Sequence, residues 1–259
     1  MTPIEKSIDF DPVARYYDAC ITTSYDVPFW IEEARQHPGP KLELMCGSGR
    51  LTLALLKAGH ALTGVDYSSA MVGVLKEKLV TLGLTARILE GAARNLVLPD
   101  RFAWIFIGFH AFAELATEAD QRAALATIRT LLAPGGQFTC SLHNPLIRGK
   151  DLNGQWAAFG THPLGNGHRV QFEGRYDLDP ETGLTTGLQR YREEDAQGGL
   201  VAEVQLPIRF RLISSATFEA LAREAGFRVV ETWGDYERRP LDPSTSPFLI
   251  YRLAPIVAP

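Results

Sequence analysis

The feature that most constrains the fold is the stretch from Lys41 to Gly59, which reads KLELMCGSGRLTLALLKAG. It begins with a short apolar run, continues through a turn at Gly47 and Gly49, and ends in an apolar stripe of helical period. Glycine is favoured where the backbone takes positive φ or passes close to a ligand. The first turn of a helix offers unpaired N–H groups to negative charge. The stretch therefore predicts a strand, a turn and a helix that hold a nucleotide-like ligand.

Strands and helices alternate along the chain from this stretch to residue 142. The predicted strands cover residues 42–44, 61–65, 87–89, 102–107 and 137–142, and the predicted helices cover residues 50–58, 69–82 and 118–132. The turn before the fifth strand is assigned to 134–136, where the sequence is Pro-Gly-Gly. Because such alternation is typical of a parallel, doubly wound sheet, the ligand is expected at the carboxyl ends of the strands.

The periodicity changes after residue 143. Residues 169–178, 184–193 and 201–212 alternate apolar and polar side chains, which predicts three antiparallel strands with one solvated face. A helix over 214–225 and strands over 227–233 and 248–253 then complete the first sheet. The predicted fold class is α/β, with a Rossmann-like doubly wound seven-stranded sheet and an inserted three-stranded antiparallel lid.

The predicted organisation is a single domain made of four segments. They are an N-terminal helical cap (1–40), an α/β core that binds the ligand (41–145), the antiparallel insertion or lid (146–212) and the return of the core (213–259).

Composition narrows the classes of partner. The 259 residues are 46% hydrophobic and carry a net charge of −4, so nucleic acid and anionic membranes are not expected partners. The three cysteines are odd in number and widely spaced, which argues against a disulfide framework or a zinc site. The first residues, MTPIEKSIDFDP, lack the apolar core of a signal peptide, and the longest apolar run is too short to cross a bilayer. We expect a cytoplasmic protein without a metal.

Four runs along the chain, ELMCGSG, VDYSSAM, LAPGGQF and EAGF, together resemble the class I S-adenosylmethionine (SAM)-dependent methyltransferases. The resemblance covers nearly the whole chain. The inserted strands are similar to those of the small-molecule branch, such as glycine N-methyltransferase and the amino-sugar N-methyltransferases. The resemblance implies that SAM is bound and that a methyl group passes to a nitrogen or oxygen nucleophile of a small molecule.

The resemblance also assigns the SAM site. It implies that residues 43–49 hold the methionine end, that Asp66 accepts hydrogen bonds from the ribose hydroxyls, and that Tyr67 and Met71 flank the adenine. Phe109 would close the other side, and Tyr17 would reach the amino-acid end. The implied SAM contacts are Tyr17, Glu43, Met45, Gly47, Gly49, Asp66, Tyr67, Met71, Ala92, Ala93 and Phe109.

Two positions depart from the pattern of the family. Met45 stands where the family usually has a glycine, and Ala92 stands where it usually has an acid that binds the adenine amino group. Adenine recognition would then depend on the backbone of Ala92 and Ala93, on Arg94 or Asn95, or on a displaced Glu90.

Polar and aromatic side chains at the strand ends are candidates for the acceptor site. The predicted catalytic residues are His110, His143, Asn144 and Tyr176, and the predicted substrate contacts are Phe112, Glu114 and Trp156. Either histidine can take a proton near neutral pH, and aromatic faces favour a cation. Each residue also has a structural interpretation: the histidines as hydrogen-bonded loop residues, Glu114 as a partner of the helix dipole, and Asn144 as a turn residue before proline.

Two further functions stay open from the sequence. One is attack of the amino group of SAM on its own γ-carbon, which gives azetidine-2-carboxylate and methylthioadenosine; Met45, Asn144 and Tyr176 keep this alternative open. The other is an inactive SAM-binding protein, which Ala92 favours and Asp66 opposes. The exposed edge of the inserted sheet would allow a homodimer.

Overall fold

The computed structural model describes residues 7–165 and 167–256. In chain order the helices are α1 (Ala14–Cys20), α2 (Val27–Gln36), α3 (Arg50–Lys57), α4 (Ser69–Leu82), α5 (Glu118–Leu131), α6 (Pro145–Arg148) and α7 (Ser215–Glu224). The strands are β1 (Lys41–Leu44), β2 (Thr63–Asp66), β3 (Arg87–Glu90), β4 (Phe102–Ile107), β5 (Leu132–His143), β6 (Ala157–Pro163), β7 (Arg169–Leu178), β8 (Leu184–Glu194), β9 (Leu200–Arg211), β10 (Phe227–Trp233) and β11 (Phe248–Pro255). Within the described ranges, no helix combines the length and the apolar character that a membrane span requires.

The larger sheet has seven strands in the order β10-β11-β5-β4-β1-β2-β3. Strands β1 to β5 pair in parallel, and β11 pairs antiparallel with both β5 and β10. Five of the six residues of β4 are buried, as its continuous apolar sequence requires of a central strand. The prediction of an α/β fold with a doubly wound, seven-stranded sheet is confirmed.

The inserted sheet has four strands, in the order β6-β7-β8-β9, and not the three that the sequence predicts. The additional strand is β6, AAFGTHP, in which six of seven residues are exposed. It lacks the alternation of apolar and polar residues, and Gly160 and Pro163 read as loop residues, so its sequence gives no strand signal. Strand β6 pairs only with β7 and is bulged between Ala158 and Gly160.

The turn predicted at 134–136 lies inside β5. The register passes from Phe102 opposite Leu132 to Trp104 opposite Gln137, so the intervening residues bulge out of the ladder. Gly135 has φ +76°, and a Cβ on Gly136 would lie 2.7 Å from the carbonyl oxygen of Phe102. The two glycines therefore permit a bulge that other residues would block.

Helix α1 joins the inserted sheet to the loops at the strand ends. The hydroxyl of Tyr16 donates to Glu193 Oε2 at 2.8 Å, and its ring stacks on Tyr191 at 5.9 Å. Farther along the helix, Asp18 accepts a hydrogen bond of 2.6 Å from the hydroxyl of Ser48 in the loop after β1. The N-terminal segment thus bridges the two sheets.

A buried carboxylate fixes helix α2 to strand β11 of the larger sheet. Glu33 is fully buried and accepts hydrogen bonds from Arg252 of β11 at 2.5 and 3.1 Å, and from Arg238 at 2.6 Å. Because both arginines converge on one carboxylate, its removal would leave Arg252, itself buried, without its main counter-charge.

We predict that Glu33→Ala lowers the free energy of unfolding by about 3–5 kcal/mol, the usual loss when one partner of a buried ion pair is removed. The neighbouring Glu32→Ala breaks an exposed pair with Arg35 and serves as the matched control. Urea denaturation measures both. Equal, small losses in the two variants would show that the Glu33 cluster does not hold α2.

Candidate active site

Three adjoining cavities lie at the carboxyl ends of the parallel strands, under the N-terminal segment and the inserted sheet. The loop cavity is lined by Phe10, Tyr17, Glu43, Met45, Gly47, Arg50, Asp66, Tyr67, Met71, Phe109 and Glu114, among others. The side cavity is lined by Met45, Tyr67, Gly91, Ala92, Ala93, Arg94, Glu114, Leu115 and Asp120, among others. The lid cavity, of about 230 Å³, is lined by Phe10, Tyr17, Phe109, His110, Glu114, His143, Arg148, Tyr176, Gln189, Tyr191 and Phe210, among others.

The glycine turn after β1 adopts left-handed backbone at three positions. Gly47 has φ +55° and Gly49 has φ +89°, but Met45 also has φ +59°, a conformation that costs a non-glycine residue about 1–2 kcal/mol. The side chain of Met45 packs against the core and lines both the loop and the side cavity. The residue that replaces the expected glycine is thus part of the cavity wall.

Asp66, at the end of β2, joins the two loops that border the loop cavity. Its carboxylate accepts the N–H of Gly47 at 2.7 Å and the N–H of Ser68 at 2.9 Å. Burial raises the pKa of this carboxyl, and the backbone N–H groups of Ser68, Gly47 and Tyr67 oppose that shift. A carboxylate has about four acceptor positions. Two backbone bonds therefore leave it free to accept two hydroxyl groups from the cavity.

Glu43 and Arg50 also line the loop cavity. Burial raises the pKa of the Glu43 carboxyl to about 8, while the hydrogen bond from Thr52 lowers it. Arg50 donates to both carboxylate oxygens of Asp26, at 2.6 and 2.7 Å, and its guanidinium lies 4.4 Å from the ring centre of Phe109. Sequence reasoning missed Arg50. Its signal was a cation in the first turn of a helix, where the dipole favours acids.

The side cavity contains a carboxylate, although not at position 92, where the family usually has one. Ala92 and Ala93 are buried in its wall, as the resemblance implied for the adenine contacts. Asp120, in the first turn of α5, also lines this cavity and pairs with Arg94 at 2.6 Å. A carboxylate is therefore present here although position 92 lacks one.

Glu114 lines all three cavities, and it is the one described residue that does so. It ends a short 3-10 turn, Ala111–Glu114, whose buried Phe112 and Ala113 anchor it to the core. Burial, and secondarily the charge of Asp66, raises the pKa of the Glu114 carboxyl to about 8. The free site therefore holds this group mostly protonated at neutral pH.

His110 and His143 lie side by side in the lid cavity, with ring centres 3.8 Å apart. Neither ring nitrogen of His110 has a hydrogen-bond partner among the described residues. Phe109 and His110 have φ +51° and +61°, and such strain in consecutive residues is a feature of functional sites. Burial lowers the pKa of His143 to about 4 and that of His110 well below its usual value. Both imidazoles are therefore neutral at pH 7, and they are weak proton acceptors.

Four of the predicted catalytic residues and ligand contacts do not line these cavities, and neither do Glu90 and Asn95, the alternatives for adenine recognition. Gly49 lies beneath the turn, where a Cβ would meet Leu75 Cδ1 at 2.2 Å. Phe112 is fully buried against Phe218 in the core. Both belong to the packing of the fold.

The other two belong to a helix cap and to the outer face of the lid. The side chain of Asn144 accepts from the N–H of Leu146 and donates to the carbonyl groups of Pro243 and Ser246, which satisfies it completely. Trp156 packs under the guanidinium of Arg190, 4.4 Å from its ring centre. Arg190 alternates with the inward-facing Tyr191, so this tryptophan faces away from the lid cavity.

Other polar residues of the lid cavity were not anticipated. Arg148, in α6, lines it, and its positive charge is one cause of the low pKa of both histidines. Gln189 donates to the hydroxyl of Tyr176 at 2.8 Å, which orients that predicted residue at the cavity wall. Gln189 lies in a strand whose side chains alternate between apolar and polar. The sequence therefore does not distinguish it from the polar lid residues that face solvent.

We predict that Gly49→Ala destabilises the protein more than Gly59→Ala. Both glycines have similar φ, +89° and +86°, so both variants bear the left-handed cost, but only a Cβ on residue 49 meets another side chain. Overpacking of this kind adds about 1–3 kcal/mol to the loss. Urea denaturation of the pair isolates the clash, and equal losses would contradict the close packing of the turn on α4.

The site has the groups that SAM requires. Asp66 offers carboxylate oxygens to a ribose diol, the side cavity offers an apolar bed with Ala92 and Ala93, and the loop cavity leaves the β1–α3 turn open to an amino-acid end. Tyr67 and Met71 line the loop cavity between these parts. The positions implied by the resemblance are thus brought together, with the exception of Gly49.

Comparison with known proteins agrees with the resemblance over the first part of the larger sheet. Residues 42–136 match the methyltransferase domain family. A demethylmenaquinone methyltransferase of Staphylococcus aureus is 34% identical over 103 residues, which are 38% of this chain and 41% of that enzyme. The chain therefore matches less than half the length of this relative.

Solved structures extend the similarity along the chain. A SAM-dependent methyltransferase from Clostridium acetobutylicum superposes with a TM-score of 0.80 at 16% identity, over 96% of this chain and 99% of the other. SAM-bound CalS10, an amino pentose methyltransferase from Micromonospora echinaspora, superposes with a TM-score of 0.65 at 21% identity, over 88% of each chain. At these identities the structures establish the fold. Residues 42–136 thus match the methyltransferase domain family, and nearly the whole chain has the fold of a SAM-dependent methyltransferase.

Proposed function

We propose that this protein transfers the methyl group of SAM to a nitrogen or oxygen nucleophile of a small molecule. The observation that carries the proposal is the junction between the loop cavity and the lid cavity, which share Phe10, Tyr17, Phe109 and Glu114. A donor held in the first cavity and an acceptor held in the second would meet at these residues. Binding at such a junction supplies the alignment on which methyl transfer depends.

The loop and side cavities would hold SAM, which supplies a methyl group already activated by its sulfonium. Asp66 would accept the ribose hydroxyls, and the wall of Ala92 and Ala93 would bed the adenine. Tyr17 and the β1–α3 turn would take the amino-acid end. These roles are supported by the way Asp66 already positions the turn through the N–H of Gly47.

The lid cavity would hold the acceptor. Its aromatic wall, with Tyr176, Tyr191 and Phe210, excludes water and favours a cationic or apolar body. His110 and His143, both neutral, would each offer one donor and one acceptor to polar groups. The inserted sheet covers the cavity, which favours small acceptors over proteins or nucleic acids. CalS10 is an amino pentose methyltransferase, and an acceptor of that size would fit this cavity.

Product analysis tests the proposal. Purified protein is incubated with SAM alone and then with a panel of small amines and phenols, and the products are identified by mass spectrometry. We expect S-adenosylhomocysteine to form only when an acceptor is present. If SAM alone gives methylthioadenosine and a cyclic amino acid, the protein catalyses cyclisation of SAM and not methyl transfer. Binding of SAM without turnover in every reaction would indicate an inactive binding protein.

We predict that Asp66→Ala weakens SAM binding by at least about 10- to 100-fold, the loss of one of its two ribose hydrogen bonds, since a hydrogen bond to a charged group contributes about 1.5–3 kcal/mol. Isothermal titration calorimetry measures the affinity. Because Asp66 also supports the turn through Gly47 and Ser68, Ser68→Ala, which removes a neighbouring cap but no ribose contact, controls for loop disorder. Unchanged affinity in Asp66→Ala would refute the placement of the ribose.

A further inference from the structure

We propose that Glu114 is a catalytic residue of this site, that it takes the proton from the acceptor, and that the acceptor atom is therefore an amine nitrogen. The inference rests on the proposed function and deepens it, because it chooses nitrogen over oxygen. It also assigns the proton transfer to a residue other than the histidines that the sequence suggested.

The position of Glu114 is the first argument. It alone among the described residues borders the loop, side and lid cavities, so its carboxyl stands where donor and acceptor would meet. It forms no hydrogen bond with another described residue, in contrast to Glu43, which Thr52 engages, and Asp66, which two backbone N–H groups engage. Its oxygens are therefore available to a ligand.

The surroundings of Glu114 contain no better proton acceptor. The titratable and charged groups that border the same cavities from the neighbouring elements are Tyr17, Glu43, Cys46, Arg50, Asp66, Tyr67, Arg94, His110, Asp120, His143, Arg148, Tyr176 and Tyr191. The two histidines are weak bases because of burial and positive neighbours. Arg94 and Asp120 are paired with each other. Tyr17, Tyr67 and Tyr176 have raised pKa values and act as hydrogen-bond donors at neutral pH.

The chemistry of the acceptor is the second argument. Burial raises the pKa of Glu114 to about 8, whereas an alkylammonium group has a pKa of about 10 and a water-like hydroxyl of about 16. The pKa of an ammonium therefore lies about two units above that of Glu114 in the free site; the SAM sulfonium widens this gap, and burial of the ammonium narrows it. From an aliphatic hydroxyl the gap is about eight units. An amine is the acceptor that this residue can serve.

The step balances as follows. The ammonium gives one proton to the Glu114 carboxylate, which leaves a neutral amine and a neutral carboxyl. The nitrogen lone pair then forms the N–CH₃ bond while the C–S bond of SAM breaks and its electron pair stays on sulfur. The products are a methylated ammonium, neutral S-adenosylhomocysteine and protonated Glu114, which keeps its proton in the free site and returns it to water when the next SAM binds.

Calorimetry of cofactor binding tests the position without any acceptor. The sulfonium of SAM would lower the pKa of a carboxyl beside it, so binding at pH 7 should release up to about one proton, measured in two buffers of different ionisation enthalpy. Binding of S-adenosylhomocysteine, which lacks the sulfonium charge, should release fewer protons. We expect Glu114→Gln to abolish the difference and Glu77→Gln, on the exposed face of α4, to keep it. Above pH 9 the release should vanish, because the free carboxyl is already ionised.

Glu43→Gln is the decisive comparison, because burial raises the pKa of Glu43 to about 8 as well. Release that survives in Glu114→Gln and disappears in Glu43→Gln would overturn the proposal. Failure of SAM to bind the wild-type protein would instead overturn the proposed function itself.

Matched acceptors test the choice of nitrogen. Glucosamine against glucose, and alaninamide against lactamide, differ only in amine and hydroxyl. We expect methylation of the amine members alone, and a loss of about 10²- to 10⁴-fold in kcat/KM in Glu114→Gln, with the basic limb of the pH profile changed. Methylation of a hydroxyl member at a rate indifferent to Glu114→Gln would overturn the proposal. If no member is methylated, the proton-release experiment decides.

Discussion

The carboxylate of Asp66 is the interaction on which the site depends. It ends one strand of the sheet, accepts an N–H from the turn after the neighbouring strand and another from the cap of the following helix. Two loops that are far apart in sequence are thereby fixed relative to each other by a single side chain. A glycine turn of this kind would otherwise be free to move. The shape of the loop cavity is therefore a property of the sheet and not of the turn alone.

Several acids of the site are held away from water. Burial raises the pKa of Glu43, Asp66 and Glu114, and the nearest arginine in the loop cavity, Arg50, is engaged by Asp26. Ionised carboxylates in such a place are costly unless a cation accompanies them. A ligand that brings positive charge relieves that cost, and both a sulfonium and an ammonium do so. The electrostatics thus favour cations in both halves of the site.

The sequence predicts the sheet well because buried parallel strands carry a strong signal. The apolar run of β4 and the alternation in β7 and β8 leave few other folds for those residues. Strand β6 escapes prediction because an exposed edge strand needs no pattern; its backbone pairing with β7 holds it. The bulge in β5 escapes because Pro-Gly-Gly also fits a turn, and only the distance to Phe102 distinguishes the two.

The site is predicted in part, and the division has a physical reason. Asp66 and Tyr17 are indicated by motifs, and the structure places both at the loop cavity. Arg148 and Asp120 are not, because they reach the cavities only through tertiary packing of α6 and α5. Asn144 satisfies every motif-based criterion, yet the carbonyl groups of the loop before β11 occupy it. Ligand-binding residues and structural residues such as Asn144 both occur at strand ends in the sequence. Only their hydrogen-bond partners in the structure distinguish the two kinds.

The bond between Tyr16 and Glu193 has a consequence for the order in which the protein is made. The partners are separated by 177 positions along the chain. During synthesis the N-terminal segment emerges early, but its anchor in the inserted sheet emerges only after the core strands β1 to β5. Parallel strands can pair and pack before that point, since their contacts lie within the first part of the chain. The inserted sheet then covers the ligand cavities last. A partly synthesised chain therefore has the strand ends that form the base of the site, but it lacks the sheet that covers them.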